Sequence, residues 1–457
     1  MTSLRSLVCV AFVATLGAAL TSCASTAPTV AEKTAATATA TGFSDPRQTQ
    51  LANDGWGAHE GPITGGAKAS DAHVYRVRTR AELVRALSAG ASVGSKGPSS
   101  LDKVIFIEGT IDLSVDPQNR PLLERDYKDA AFDWDAYAKQ FDVQTWGKKT
   151  VEGPLEVARK RSADAQASVV VIPVGSNTSL IGVGDNALIK NGSLMVKNAE
   201  NVLIRNITFE DAYDYFPQWD PKDNANGEWN SEYDNVTIYG SRRVWIDHCT
   251  FSDGARPDKI NRTSLGRPMQ FHDGLVDIVR GSDLVTVSYS HFKNHDKTML
   301  IGNSDNRSED AGKLRVTLHH NWFENVKERS PRVRYGQVHV YNNLYTATAG
   351  ADYGYGYSIG VGFKSQLIVE NNGFDLNVEQ PRVFKLWRGD RIQASANLLN
   401  GTPLDALAVL QRHEAAALGS DAGWVVPYAS SSVIDTTQSV ATTVRSRAGA
   451  GRASQSF

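Results

Sequence analysis

The stretch Val244-Trp-Ile-Asp-His-Cys-Thr-Phe251 shows the pattern that decides the fold: a short apolar strand, a polar residue, two spacers and an aromatic ring. The same ending recurs at Asn206-Ile-Thr-Phe209, His248-Cys-Thr-Phe251, Tyr289-Ser-His-Phe292, His320-Asn-Trp-Phe323, Asn342-Asn-Leu-Tyr345 and Asn371-Asn-Gly-Phe374. Successive rings are separated by 42, 41, 31, 22 and 29 residues. One supersecondary unit repeated at such spacing is typical of stacked coils, in which the longer intervals carry loops.

Stacking places the same position of every coil in one row, so strands of successive coils pair in parallel. The rings would then stack inside the coil. The polar residues of the repeat would form a second row, a ladder, which we interpret as structural rather than catalytic: Asn206, His248, His320, Asn342 and Asn371. The predicted fold is an all-β, single-stranded parallel β-helix, a solenoid with helical and loop excursions. An antiparallel sandwich is the alternative, but it would need tight hairpin signals between the strands, and Asn-Gly pairs stand mainly in loops.

The composition allows a large core and excludes several functions. The chain has 457 residues, of which 41% are hydrophobic, and a net charge of -2. Attraction for a polyanion must therefore be local. Phosphate-binding, nucleic-acid-binding and zinc motifs are absent from the sequence, so we expect no nucleic-acid partner.

The first 43 residues read as an export signal and a tether. Residues 1–22 have a basic start and a short apolar run, which predict an export signal. The ending Leu20-Thr-Ser-Cys23 is similar to a bacterial lipobox, which would make Cys23 a lipidated mature N-terminus; ordinary cleavage and release is the alternative. Residues 23–43 form an Ala/Thr-rich tether, and residues 44–457 form the β-helix domain. The protein is expected to be exported, with membrane contact only through that lipid.

Three further segments carry weaker expectations. Removing the leader leaves Cys249 as the only cysteine, so an internal disulfide is excluded, and we interpret this residue as a small buried apolar one. The polar segment Leu113–Ala167 is interpreted as a solvated insertion; a wall of a groove is the alternative. Residues 407–418 suggest a helix packed on the solenoid, and the tail from Arg447 onwards has little core potential.

Acidic residues cluster around two strands of the repeat. Asp273 and Asp277 stand four apart, so both can point outward from one strand. Asp234, with Glu232 two residues before it, begins a strand one coil earlier, and adjacent coils lie about 4.8 Å apart. Converging carboxylates repel unless a cation lies among them, and hard oxygen ligands favour Ca²⁺ over Zn²⁺. A solvated acidic surface remains open, and Asp247, among apolar neighbours, is interpreted as buried and hydrogen-bonded.

Basic residues follow the acids. Lys297 precedes the cluster Arg329-Ser-Pro-Arg-Val-Arg334, in which Pro331 could bend the chain and bring Arg329 and Arg334 to one site. Guanidinium forks suit carboxylates, so acids and bases together suggest an anionic substrate with carboxylates of its own. A salt-bridged surface is the alternative.

The sequence resembles the bacterial pectate lyases of polysaccharide lyase family 1, which are right-handed parallel β-helix enzymes. The likeness covers most of Asp54–Phe374. It is carried by Asn230-Ser-Glu-Tyr-Asp-Asn235, Val244-Trp-Ile-Asp-His-Cys-Thr-Phe251, Gly266-Arg-Pro-Met-Gln-Phe-His-Asp-Gly-Leu-Val-Asp277, Asn294-His-Asp-Lys-Thr298, Leu318-His-His-Asn-Trp-Phe323 and Arg329-Ser-Pro-Arg-Val-Arg334 with the residues to Tyr345.

This resemblance implies roles for the clustered residues. It implies calcium ligation by Asp234, Asp273 and Asp277, a catalytic base at Arg329, and substrate-carboxylate binding by two further residues, Lys297 and Arg334. Glu232 matches a position that is an acidic ligand in only some members.

The reaction so implied is Ca²⁺-dependent β-elimination on α-1,4-polygalacturonate, leaving a 4,5-unsaturated end. An arginine base conflicts with the usual protonation of arginine; we expect neighbouring cations to lower its pKa and activity to be highest at alkaline pH. A pectin lyase and a non-catalytic β-helix surface protein that binds carbohydrate are the alternatives. We expect a monomer.

Overall fold

Three long sheets, each built of short strands from successive turns of the chain, enclose the main hydrophobic core. The computed structural model describes residues 54–90, 97–413, 418–428 and 434–453. The predicted export signal and tether lie outside these residues. All of the described residues fall in one compact unit, and the boundaries predicted at residues 22 and 43 remain predictions.

The strands are distributed over the three sheets as follows. The first sheet contains Val74–Val77, Lys103–Ile107, Thr178–Gly182, Glu200–Arg205, Arg242–Asp247, Asp283–Ser288, Val316–His319, Gln337–Tyr341, Gln366–Glu370 and Gln393–Ser395. The second contains Val171–Val174, Ser193–Lys197, Val236–Tyr239, Val276–Val279, Leu300–Ile301, Arg332–Val333, Ile359–Gly362 and Phe384–Trp387. The third contains Thr110–Asp112, Leu188–Lys190, Thr208–Glu210, Thr250–Ser252, His291–Lys297, Trp322–Glu328, Leu344–Thr348, Gly373–Asn377, Leu398–Leu399 and Thr402–Pro403.

Each coil passes from the second sheet to the first and then to the third. Neighbouring strands of a sheet pair in parallel and come from consecutive coils, as when Val244 pairs with Val202 on one side and Val285 on the other. The exception is the last pair of the third sheet, which is antiparallel. The predicted single-stranded parallel β-helix is confirmed, and the sandwich alternative is wrong. Long loops follow the third-sheet strands Thr208–Glu210 and Thr250–Ser252, and each of these two loops carries a candidate site residue.

The aromatic rings of the repeat stack inside the coil, as predicted. Phe209, Phe251, Phe292, Phe323 and Tyr345 lie with successive ring centroids 5.2, 5.0, 5.0 and 4.8 Å apart and nearly parallel. All five are at most 2% exposed. Parallel pairing in register brings each ring over the next at the strand spacing, so one stack continues through five coils.

Two rows of polar residues lie along the turns between the first and third sheets: the predicted ladder and a second row one residue further along the chain. The predicted residues occupy left-handed turns between the first and third sheets, such as His248 with φ 48° and Asn342 with φ 51°. The residue after each turn points inward instead. Asn321, Asn343 and Asn372 therefore form a buried amide ladder, in which each side-chain Nδ2 donates to the next Oδ1 at 3.0 Å. The predicted row is present, since the rings of His248 and His320 stack on either side of Tyr289 with centroids 4.9 and 4.6 Å away, and the inward amide ladder is an additional row that was not predicted.

Seven α-helices accompany the solenoid in the described parts of the chain: Arg80–Leu87, Glu124–Tyr127, Trp134–Gln140, Val143–Trp146, Pro154–Val170, Ala406–His413 and Thr437–Arg447. Among these residues no helix is long and apolar enough to span a membrane. The helix at Arg80 begins with a capping box of Thr79 and Glu82. Leu410 packs into the main core, so the predicted helix near residue 407 is confirmed.

The expectation of a solvated insertion at Leu113–Ala167 is wrong. Its helices share a second hydrophobic core with the loops that follow the coils, and Tyr137, Phe216, Trp219 and Trp229 are all fully buried there. The aromatic residues of a mostly polar segment converge on one side, which a scan of average polarity does not show.

The C-terminal tail also packs more than its composition predicts. The helix Thr437–Arg447 buries Val440 and Val444 against the third sheet. The glycines beyond it run back along the turns: Gly449 N–H donates to the carbonyl of Tyr289 at 2.8 Å. Small residues allow this close approach to the backbone.

Candidate active site

Two acids are brought together on the outer face of the second sheet. Asp234 ends a long loop just before the strand Val236–Tyr239, and Asp277 lies in the strand Val276–Val279 of the next coil. The two strands pair in parallel with Thr237 opposite Asp277. Because strand residues alternate between faces, apolar neighbours of Asp277 point into the core and its carboxylate points out.

A glycine separates the two carboxylates. A Cβ placed on Gly274 would lie 2.6 Å from Oδ1 of Asp234 and 2.8 Å from Oδ1 of Asp277. The Oδ2 atom of Asp234 accepts the hydroxyl of Thr237 at 2.7 Å, and Oδ1 of Asp277 accepts the Leu300 N–H at 2.8 Å. Both carboxylates are thus held in place beside Gly274, where the Cβ of any other residue would collide with them.

The electrostatics of this pair favour a bound cation. Burial, followed by repulsion from Asp273, raises the pKa of Asp234 to about 7. Burial, followed by Asp234 and Asp273, raises the pKa of Asp277 well above its usual value. Carboxylates whose ionised forms are disfavoured in this way are stabilised by a hard cation, and oxygen-only donors suit Ca²⁺.

The third predicted ligand is held elsewhere. A carboxylate oxygen of Asp273 lies 3.1 Å from Nζ of Lys297, and its side chain is 34% exposed. Across the described stretches of chain, no three Asp, Glu, His or Cys side chains are grouped as they would be around a metal ion. The structure therefore brings Asp234 and Asp277 together and leaves Asp273 close by, paired with a cation. Glu232 is exposed, and its backbone N–H donates to Asp214.

Arg329 lies beside these acids but is itself stabilised as a cation. Its Nε donates to Glu328 at 3.1 Å. Burial lowers the pKa of Arg329, but Glu328, Asp273 and Asp277 outweigh burial and raise the pKa above its usual value. The expectation that neighbouring Lys and Arg side chains lower this pKa is therefore wrong for the protein without metal, because carboxylates dominate its surroundings.

The other two arginines of the cluster have different environments. Arg334 is held by Asp305, whose Oδ1 accepts its Nε–H at 2.7 Å. Arg332 lies over the ring of Trp387 at 4.2 Å. Burial, then Arg334 and Arg329, lowers the pKa of Arg332 to about 10. The three arginines thus have different partners: Glu328 for Arg329, Trp387 for Arg332 and Asp305 for Arg334.

A second charged cluster, on the first sheet, is structural. Asp247 is 1% exposed and accepts hydrogen bonds from Arg205 and Ser288, with His248 at 2.8 Å. Burial alone would raise the pKa of Asp247, but Arg205 and His248 hold this pKa well below its usual value. The prediction of a buried, hydrogen-bonded Asp247 is confirmed. Burial raises the pKa of the neighbouring Cys249 thiol to about 12, which fits an inert core residue.

Sequence reasoning missed the partners of the site residues. Glu328 and Asp305 hold two of the arginines, and a buried pair of His295 and Asp253 lies behind the acids. Glu328 stands next to Arg329 in the sequence and could have been found there. Asp305 and Asp253 lie in loops, where spacing carries no information about the partner.

Carboxylates that face guanidinium and ammonium groups on the outside of a parallel β-helix are typical of enzymes that act on acidic polysaccharides. The family model for pectate lyase matches residues 149–453. The chain belongs to the pectate lyase family and is a polysaccharide lyase.

Individual relatives agree over nearly the whole chain. It is 44% identical to a pectate lyase of Bacillus subtilis (strain 168) over 408 residues, which are 89% of this chain and 93% of that protein. It is 36% identical to pectate lyase E of Dickeya dadantii (strain 3937), over 80% of each chain. Among solved structures, the thermostable pectate lyase PL 47 superposes with a TM-score of 0.86, at 46% identity and over 89% of this chain and 99% of that one. A pectate lyase bound to a hexasaccharide gives a TM-score of 0.83 at 43% identity with the same coverage.

Proposed function

We propose that this lyase cleaves α-1,4-polygalacturonate by calcium-dependent β-elimination. The observation that supports it most is the pair of buried, mutually repelling carboxylates, Asp234 and Asp277, beside Arg329. A pair of this kind is stable in ionised form only with a cation between its members. The nearby guanidinium groups supply the means to bind and deprotonate an anionic sugar.

The ligands and their chemistry follow from the donors present. Asp234 and Asp277 would hold Ca²⁺ together with Asp273, after Asp273 has separated from Lys297. Bound Ca²⁺ neutralises protein and substrate carboxylates and acidifies the carbon next to the substrate carboxylate.

Lys297 and Arg334 orient the substrate through its carboxylates. Arg329 takes the proton from C5 of the galacturonate, the electron pair forms the C4–C5 double bond, and the C4–O bond breaks. The leaving oxygen takes up a proton from water, so the products are a chain with a free hydroxyl and a chain with a 4,5-unsaturated end. Once Asp273 has separated from Lys297, the ammonium group of Lys297 can bind a substrate carboxylate in place of Asp273.

The protonation of Arg329 depends on its neighbours. Asp273 and Asp277 both raise its pKa in the protein without metal. Once these two carboxylates are neutralised, Glu328 is the main carboxylate left to stabilise the cation. A base at Arg329 is therefore favoured by the loaded site and by alkaline pH.

An ultraviolet assay for the unsaturated product tests this function. Purified protein is assayed on polygalacturonate and on methyl-esterified pectin, with calcium and with a chelator. Calcium-dependent product from polygalacturonate alone is the expected result. Product from the esterified polymer regardless of calcium would indicate a pectin lyase, and binding without product would indicate a non-catalytic carbohydrate-binding protein.

We also propose that the protein is exported and acts as a monomer. The support is the leader pattern in residues 1–43, with Cys23 as the lipid-modified N-terminus. Mass spectrometry of the mature N-terminus distinguishes a lipidated cysteine from a free terminus, and light scattering gives the oligomeric state.

A further inference from the structure

A chain of buried hydrogen bonds ends on the backbone of one candidate ligand. His295, 1% exposed, lies in the strand His291–Lys297. Its Nδ1 is 2.6 Å from Oδ1 of Asp253, and its Nε2 is 2.9 Å from the backbone carbonyl oxygen of Asp273. Because a carboxylate and a carbonyl both accept, each ring nitrogen donates, and the imidazole bridges the two groups.

Asp253 is in turn fixed from the other side. Its Oδ2 accepts the hydroxyl of Tyr353, and that hydroxyl oxygen accepts the N–H of Asp258 at 2.7 Å. Asp253 is 1% exposed and Tyr353 is 7% exposed. The loop that carries Tyr353, the loop that begins at Asp253 and the third-sheet strand are thus joined by polar contacts that water does not reach.

The backbone on both sides of Asp273 is fixed, whereas its carboxylate is not. The N–H of Gly274 donates to Oδ1 of Asp234 at 2.9 Å, and His272 lies between Asp211 and Asp258 at 3.0 and 2.9 Å. The carboxylate of Asp273 is partly exposed, and the Lys297 side chain that is paired with it can move away. One side-chain rotation can therefore move the carboxylate of Asp273 from Lys297 toward Asp234 and Asp277 while its backbone stays in place.

We propose that the series Tyr353, Asp253 and His295 positions the backbone of Asp273 and thereby sets the calcium affinity of the site. These three are positioning residues: His295 contacts the backbone of Asp273, Asp253 holds His295, and Tyr353 holds Asp253. The inference rests on the proposed calcium site. Removing groups that orient metal ligands typically costs about 10- to 100-fold in metal affinity.

The same strand supplies a matched control. His291 is hydrogen-bonded through Nε2 to Glu324 at 2.9 Å and stacks on Trp322 with ring centroids 4.3 Å apart. It is a largely buried histidine–carboxylate pair in the same element, four residues from His295. Replacing it disturbs the strand to a similar degree without touching Asp273.

Calcium binding by the purified full-length protein is measured by titration calorimetry for the wild type, His295→Gln, Tyr353→Phe and His291→Gln. The rise in Tm on adding calcium provides a second readout. We expect His295→Gln to weaken binding about 10- to 100-fold, Tyr353→Phe to weaken it less, and His291→Gln to leave it unchanged. At saturating calcium, kcat of His295→Gln should return close to the wild-type value.

Unchanged calcium affinity in both His295→Gln and Tyr353→Phe would overturn the inference, as would an equal loss in His291→Gln. If His295→Gln does not fold, the calcium affinity of Tyr353→Phe, which lacks one hydroxyl, tests the inference instead. Absence of calcium binding in the wild type is a different result, because it contradicts the proposed function itself.

Discussion

The ammonium group of Lys297 lies 3.1 Å from the carboxylate of Asp273, so a residue proposed to bind substrate is paired with one proposed to bind calcium. This pair must separate before either partner can act. Lys297→Ala should therefore strengthen calcium binding, by about two- to fivefold for a partly buried ion pair. It should lower kcat/KM on polygalacturonate about 10- to 100-fold, through loss of a charged hydrogen bond to substrate.

Titration calorimetry measures the expected gain in calcium affinity, and the ultraviolet product assay measures the expected loss of kcat/KM. Lys293→Ala, on the same strand but not paired with the acids, is the control and should change neither quantity. Weaker calcium binding in Lys297→Ala would contradict the competition between lysine and calcium for Asp273.

Arg329 can be tested separately from the metal. Arg329→Ala should lower kcat about 10²- to 10⁴-fold, the usual contribution of a positioned base. Its calcium affinity should not fall, because the variant removes a cation near Asp277. Arg391→Ala, which removes an exposed guanidinium paired with Asp390, should retain wild-type activity. A product assay that finds Arg329→Ala at wild-type rates would exclude this residue as the base.

The raised pKa of Asp234, about 7, gives a pH dependence with a definite sign. In the protein without metal, the folded state holds this proton more tightly than the unfolded chain does. Its contribution to stability therefore falls as pH rises from about 4 to 7. Calcium requires the ionised form, so calcium affinity should weaken as pH falls below 7, by up to tenfold per unit for each proton displaced.

Thermal unfolding from pH 5 to 9, with and without calcium, measures both effects. The Tm rise caused by calcium should grow with pH. Asp234→Asn should remove part of the pH slope seen without metal, and an identical slope in this variant would show that Asp234 does not titrate in this range.

The amide ladder predicts a large loss of stability from a small change. Asn343 is fully buried, and its Nδ2 donates to the carbonyl of Leu318 and to Oδ1 of Asn372, while its Oδ1 accepts from Asn321. Asn343→Ala leaves several of these groups unpaired, at about 1–3 kcal/mol each, so we expect a loss of roughly 3 kcal/mol or more. Asn325→Gly, which tolerates the left-handed backbone at φ 51° and removes one exposed hydrogen bond, should cost about 1 kcal/mol. Guanidinium unfolding compares the two, and equal losses would contradict a cooperative ladder.

The solenoid could be predicted because its determinants are periodic. The spacing from Phe251 to Phe292 and onwards records one strand per coil, and register follows from stacking. The inward amide ladder was not predicted because the left-handed turn at residues such as His248 depends on backbone geometry, which residue type indicates only weakly. The buried core of the helical excursion was missed because its partners, including Trp219, lie 50 or more residues further along the chain.

The site was predictable in part. Stacking correctly suggested that Asp234 could approach Asp277. The expectation that Asp273 and Asp277 point outward from one strand is wrong, because the strand Val276–Val279 begins after Asp273 and the Asp273 carboxylate pairs with Lys297. The roles of these residues came from the family resemblance and remain proposals. The ion pair of Asp273 with Lys297 and the contact of Arg334 with Asp305 depend on side-chain rotamers and loop paths, so no pattern in the sequence indicates them.

Gly274 offers the most local test of the calcium site. A Cβ at this position would lie 2.6 and 2.8 Å from the two carboxylate oxygens of Asp234 and Asp277, closer than real Cβ contacts. Gly274 is not in a left-handed conformation, so Gly274→Ala leaves the backbone and every charge unchanged and forces the carboxylates apart. We expect calcium affinity to fall about tenfold or more, since ligand geometry is disturbed directly.

The matched control for this substitution is Gly354→Ala, whose Cβ would meet no atom within 4 Å and which should bind calcium normally. Calorimetry again provides the measurement, and Tm without metal reports any general damage to the fold. Wild-type calcium affinity in Gly274→Ala would mean that the ion does not lie between Asp234 and Asp277. Reduced affinity with an unchanged Tm is the expected result, because the added methyl group meets the carboxylates of Asp234 and Asp277.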